Sequence, residues 1–305
     1  MNGERLITDI AKEVLRKQLW LVAEFCGLQV VTYQILSNHF HVLVRVPQKT
    51  EIPDEELLRR YLLLHPHPTR YQTARLEVIK ARLAENGSEA EAWRRRMLAL
   101  MNDVSQYMKL LKQRFSIWLN KSYNRFGTLW AERFKSVLVE GTGDVLQTMA
   151  AYIDLNCVRA SLADDPKDYR FGGYAEAVAG DTVAREGIRS IFGGAAWDQV
   201  QTNYRRILFG KGTAPQERGG RISAEAFEQV MIAGGKLALA DVLRCRVRYL
   251  TNGAVLGSRA FVETQLAAYR IKTGRREQTG PRMLPAIADW GDLAVLRRVR
   301  QPTLS

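Results

Sequence analysis

A chain of 305 residues, 46% hydrophobic and 25% charged, has the composition of an ordinary globular protein with room for one large or two modest domains. No apolar run approaches the roughly 18 residues of a membrane span. Met1 to Leu6 shows no signal-peptide pattern, and Cys26, Cys157 and Cys245, far apart and odd in number, suggest neither a disulfide framework nor a Cys-x-x-Cys metal site, so a reducing cytoplasm is expected. The net charge of +13 and pI near 9.8 suit an acidic partner, nucleic acid being the usual one, although a generally basic soluble protein shares that balance.

Ile7 to Phe25 reads as an amphipathic helix with Ile10, Val14, Leu15, Leu19, Val22 and Phe25 at helical spacing, stopped by Gly27. Leu28 to Leu36 and His39 to Val46 read as strands joined at Ser37-Asn38, a hairpin. Residues 47–102 look like a helical insertion, with helices starting at Asp54, over Thr69–Glu85 and over Glu89–Leu100. Asp103 to Tyr123 is a stronger helix with Met108, Leu111, Phe115 and Leu119 on one face. Arg133 to Glu140 alternates like a strand, and Asp144 to Leu162 reads as a helix capped by Asp144. Residues 179–220 form a connecting segment. The part from 221 to 305 reads as three helices, Ala224–Ala233, Leu237–Leu250 and Arg259–Ile271, an all-α basic module in which Asp241 to Ser305 carries +7 of the charge. Ser223 and Ser258 suit the caps of the first and last.

All four histidines fall in His-x-His pairs. In a strand His39 and His41 share a face, as a divalent metal needs, while Phe40, Val42, Val44 and Val46 form an apolar face that packs. Two polar residues on a solvated face would give the same pattern. The second pair, His65-Pro66-His67-Pro68, is held extended by proline, so its imidazoles diverge and a loop is expected.

On the helix from Asp144, Leu146, Met149, Ala150, Ile153, Cys157 and Ala160 form a core face. Thr148, Tyr152, Asn156 and Arg159 form a neighbouring polar stripe. A tyrosine, an amide and an arginine on one face suit a nucleophile, a metal ligand and a phosphate contact. They also suit an interfacial tyrosine with solvated neighbours.

His39-Phe40-His41, then Trp130-Ala-Glu-Arg133-Phe-Lys135, then Tyr152-Ile-Asp-Leu-Asn156-Cys-Val-Arg159-Ala follow in one order. Together they resemble the single-tyrosine HUH transposases, in particular the REP-associated tyrosine transposases. The resemblance covers roughly residues 3–175, ending after Tyr169-Arg-Phe-Gly-Gly-Tyr174, so residues 1–178 are expected to be one HUH domain. It implies a ferredoxin-like antiparallel sheet with helices, an α+β fold. The family usually has a strand ahead of a segment like Asn2-Gly-Glu-Arg-Leu6, so that first strand is expected to be missing. Cys157 stands where the family commonly has proline.

The resemblance makes Tyr152 the catalytic residue and His39, His41 and Asn156 the ligands of Mg²⁺ or Mn²⁺. Such mixed nitrogen and oxygen donors suit these cations, though imidazoles also accept Zn²⁺ or Ni²⁺. A tyrosine hydroxyl, with an ordinary pKa of about 10, needs a Lewis acid beside the phosphate to attack. The implied activity is endonucleolytic cleavage and strand transfer on single-stranded, hairpin-bearing DNA through a 5′-phosphotyrosine, hence DNA transposition and recombination. Arg133, Lys135, Arg159, Arg244 and Arg248 are the candidate DNA contacts, and a helix-turn-helix is plausible in the basic C-terminal segment. A nucleoid-associated, prokaryotic, cytoplasmic protein with no membrane partner is expected, and a homodimer is compatible with it. Two rival functions stay open: a degenerate transposase that binds DNA without cutting it, and a water-using His-x-His metallohydrolase.

Overall fold

The computed structural model describes residues 7–65, 68–210, 239–244, 250, 253–274, 280–284, 288 and 290–297. The fold is mixed α+β, and no helix among the described residues is long and apolar enough to cross a membrane. The chain divides into two compact units, Met1–Val30 with Val44–Glu132, and Val31–Leu43 with Arg133–Ser305, the division passing through the first hairpin.

The first unit is helical. Helix α1 (Asp9–Cys26) is capped by Thr8, whose Oγ1 accepts from the Ala11 amide, and stopped by Gly27 in the left-handed region at φ 67°. Ala11, Leu15, Leu19, Val22 and Phe25 are buried on α1, but Ile10 is 70% exposed and lies off the apolar face expected of it. Helices α2 (Asp54–Leu63), α3 (Arg70–Glu85) and α4 (Ser88–Leu98) form the insertion, in which a paired Asp54–Arg94 contact at 2.6 and 2.7 Å joins α2 to α4. Helix α5 (Val104–Ser122) packs Tyr107, Met108, Leu111, Phe115 and Leu119 inward, and α1 and α5 pack together. Of the second histidine pair, His65 lies in a loop beside Tyr61 and Gln72, while His67 lies outside the described residues.

In the second unit, strands β1 (Gln29–Ile35) and β2 (Phe40–Arg45) form the expected hairpin, closed by the Leu36 amide donating to the His39 carbonyl at 2.8 Å. The segment Tyr169–Tyr174 runs along β1. The Ile35 amide donates to the Phe171 carbonyl at 2.9 Å, and the Tyr169 hydroxyl donates to the Ile35 carbonyl at 2.7 Å. Gly173 is required there, because a Cβ would meet the Tyr33 amide nitrogen at 2.9 Å and the Thr32 Cα at 3.0 Å.

The strands do not join one antiparallel sheet as expected. Strand β3 is only Leu138–Val139 and runs parallel to β4 (Gly253–Ser258) in a separate sheet of order β3-β4-β6-β5, with β5 at Arg282–Met283 and β6 at Leu293–Arg297. The C-terminal segment is therefore not all-α. Its short runs Ala254-Val-Leu256 and Leu293-Ala-Val-Leu296 pair with each other and bury against Val262 and Leu266 of the helix Arg259–Thr273. Runs of this length are bounded by turns and cannot be told from buried helix by periodicity. Ser258 does cap that helix, its Oγ accepting from the Phe261 amide, and Glu140 after β3 accepts from both its amide and its hydroxyl. The expected helix Ala224–Ala233 lies outside the described residues. The one expected over Leu237–Leu250 is described as Leu239–Arg244, with Leu250 helical.

The second unit does not break near residue 178. Helix α6 (Gly143–Asp154) packs against a helix at Trp197–Phe209, whose Tyr204 hydroxyl donates to Asp154. Arg205 of the same helix donates to the buried Asp165 at 2.9 Å.

Candidate functional site

Strand alternation brings His39 and His41 together: their ring centroids lie 5.1 Å apart, edge to face. The fully buried position of β2, however, lies on their face. Leu43, two residues beyond His41 and on the same face, is the buried residue of β2, whereas Phe40, Val42 and Val44 are half-buried and Val46 is 45% exposed. His39 itself is exposed, and its Nδ1 lies 2.6 Å from the Asn38 Oδ1. Asn38 Oδ1 is an acceptor only, so Nδ1 is the donor of that bond. Burial first, then His39 and Arg159, hold the His41 imidazole down at about 4, so it is neutral at pH 7.

Tyr152 sits on α6 and Asn156 on the short α7 (Asn156–Arg159). The expected single helix from Asp144 is thus two, and Asp144 lies in the first turn rather than at the cap, which Thr142 occupies without a side-chain bond. The break has a side-chain cause. The Asn156 amide nitrogen donates to the Tyr152 and Ile153 carbonyls at 3.3 and 3.0 Å, drawing acceptors away from the regular ladder. Those two acceptors identify the nitrogen. The Asn156 Oδ1 accepts no hydrogen bond among the described residues.

In the stripe, Thr148, Tyr152 and Asn156 are buried and Arg159 is half-buried, Tyr152 being 3% exposed and Asn156 9%. Arg159 covers Tyr152. Its Cζ lies 4.0 Å from the ring centroid, and its guanidinium donates to the Tyr152 carbonyl and to the Leu243 carbonyl. The same guanidinium acts electrostatically on His41. Arg159 thus covers Tyr152, and its charge reaches His41 within the second unit. Among the described residues no three histidine, cysteine, aspartate or glutamate side chains are placed to hold a metal.

Arg133 and Lys135 are exposed in the irregular segment before β3. Arg244 is the last residue of its helix, and Arg248 lies outside the described residues.

Asp154 is a further polar residue of this helix, one that periodicity passes over. It is fully buried, accepting from the Thr32 hydroxyl at 2.7 Å and from the Tyr204 hydroxyl. The signal was present: a carboxylate set between Ile153 and Leu155 in an apolar helix needs partners. Burial pushes its carboxyl up to about 7 against the lowering effect of the Tyr204, Thr32 and Tyr174 hydrogen bonds. A carboxyl raised in the folded state contributes stability that is complete below its unfolded pKa and lost as pH rises through the folded one. Asp154→Asn is therefore expected to remove a decline of at most about 4 kcal/mol between pH 4 and 7. Urea midpoints for both proteins across that range measure it, and parallel curves would reverse the assignment.

No family model matches this chain, and neither the curated proteins nor the solved structures contain a match to it.

Proposed function

We propose that this protein is a metal-dependent endonuclease and strand transferase of the HUH type. Its substrate would be single-stranded DNA carrying hairpins, such as REP-type palindromes, and Tyr152 would be its nucleophile. Two observations carry this reading: His39 and His41 stand 5.1 Å apart on one strand face, and Arg159, 4.0 Å over the Tyr152 ring, also bears electrostatically on His41. The donor set fits a divalent cation: His41 is neutral, as a ligand must be, and Asn156 Oδ1 is uncommitted. His39, His41 and Asn156 would hold Mg²⁺ or Mn²⁺, which when bound polarises a phosphodiester.

Tyr152 supplies the covalent step. Its oxygen bonds to phosphorus and the phosphorus–O3′ bond breaks. The phenol gives up its proton and the leaving O3′ takes one up. The product is a 5′-phosphotyrosine, and a 3′-OH attacking it reverses the step and joins strands without ATP. Arg159 stabilises the approaching phosphate only by giving up its carbonyl contacts, so uncovering Tyr152 precedes attack. The 3% exposure of Tyr152 also favours a second reading, DNA binding without cleavage. A 3′-labelled hairpin oligonucleotide, whose label stays on the fragment joined through its 5′-phosphate, incubated with Mn²⁺ and resolved in SDS, separates the two. A covalent adduct supports the transferase, and binding with no adduct supports the second reading.

Binding itself is expected to depend steeply on salt. Arg133→Ala and Lys135→Ala, both at exposed positions, should each lower the slope of log K against log salt by roughly 0.7 on single-stranded DNA. Fluorescence-anisotropy titrations at several salt concentrations read the slope, and unchanged slopes would remove both residues from the interface.

A further inference from the structure

Phe126 is the most exposed large apolar side chain among the described residues, at 92%. It belongs to the first unit and follows α5. A single exposed apolar residue is ordinary on a protein surface. What sets Phe126 apart is the turn that presents it. Asn124 at φ 47° and Gly127 at φ 89° bracket Arg125-Phe126 with two left-handed residues. Asn120 holds both sides of that turn: its carbonyl accepts from the Arg125 amide at 2.9 Å, and its side chain donates to the Gly127 carbonyl at 3.0 Å.

The flanks are anchored as well. Tyr123 stands edge-on to Trp118 and its hydroxyl lies 2.9 Å from Thr8 Oγ1. Beyond the turn, Leu129 is buried, and the Trp130 indole donates to the Lys112 carbonyl at 3.3 Å while packing on Phe115. Because the backbone of the turn is already tied, covering the ring costs little further backbone order.

The surroundings decide what would cover it. Lys121 is exposed one turn back, Arg125 is the preceding residue, and Ser122, Asn124 and Thr128 are exposed and polar. Tyr123, three residues back, is 43% exposed, so the turn carries aromatic rings among cations and polar side chains. A flat π-face on an anionic backbone matches both the ring and the cations, in a chain of net charge +13. We infer that Phe126 is a stacking platform for an unpaired base of single-stranded nucleic acid, with Lys121 and Arg125 meeting the adjoining phosphates. This rests on the nucleic-acid half of the reading above and not on the chemistry of Tyr152.

The test uses the full chain with a single-stranded oligonucleotide containing 2-aminopurine, and a blunt duplex as control. Phe126→Ser should weaken single-strand binding roughly 5- to 100-fold and abolish the stacking-induced change in 2-aminopurine fluorescence. Phe126→Trp should retain both, and duplex affinity should not change for either variant. If the wild-type protein binds no single strand, the nucleic-acid reading itself fails and this inference with it. If the wild type binds but Phe126→Ser binds as tightly with the same fluorescence change, the platform is overturned and that reading stands. Equal losses on single strand and duplex, or loss in Phe126→Trp as well, overturn it too. So does a shift in sedimentation of Phe126→Ser with unchanged oligonucleotide affinity, which would make the ring a contact between copies of this chain.

Discussion

Tyr152→Phe is expected to leave no SDS-resistant protein–DNA adduct under conditions where the wild type forms one, with affinity for the same strand nearly unchanged. The substitution removes only the hydroxyl. The ring stays beneath Arg159, whose Cζ lies 4.0 Å from its centroid, and the guanidinium keeps its bonds to the Tyr152 and Leu243 carbonyls because both are backbone. The buried face of α6 therefore holds its shape, and a loss of adduct reports chemistry rather than unfolding. Comparing thermal transitions of the two proteins checks that premise. An adduct that survives in the phenylalanine variant would assign the nucleophile elsewhere and take the phosphotyrosine mechanism with it.

The local features of the fold were legible because they depend on a few neighbouring residues. Gly27 ends α1, Ser258 caps its helix, and the Met108, Leu111, Phe115 and Leu119 periodicity marks the buried side of α5. The pairing of β3 with β4 was not legible. It joins Leu138 to Val255 and Val139 to Leu256, two residues on each side and more than a hundred apart in sequence, with no local pattern to announce it. Contacts of that kind are set by tertiary packing, which overrides propensity.

The candidate site divides the same way. Alternation alone puts His39 and His41 on one side of a strand. It does not say which side packs, since Leu43 on one face competes with Phe40 and the valines on the other, and Leu43 is the one buried. Likewise a helix period joins Tyr152 to Asn156, but the break at Leu155 follows from an Asn side chain bonding carbonyls one turn back. The DNA contacts were read from charge, and charge does not report direction. Arg159, counted among them, turns its guanidinium onto Tyr152.

Alanine at His39 or His41 is expected to abolish both the adduct and the response to Mn²⁺, whereas alanine at His65 or His67 should change neither. The two His-x-His pairs have the same spacing, so the comparison isolates their settings. His39 and His41 lie 5.1 Å apart on one face of a hairpin, and His41 is held neutral at pH 7. His65 instead lies in a loop with its Nδ1 against the Gln72 side chain at 3.2 Å. A ligand that binds only the folded state raises its stability, by about 2.7 kcal/mol at a concentration a hundred times Kd. Thermal unfolding with and without Mn²⁺ therefore reads metal binding independently of any cleavage. The wild type and the His65 and His67 variants should show the rise, and the His39 and His41 variants should not. His41→Ala also opens space on a packed strand face, so its transition without metal will fall, and the metal-dependent increment rather than the absolute midpoint carries the comparison. Equal increments in all the proteins would show that spacing alone, without the strand, had been mistaken for a site.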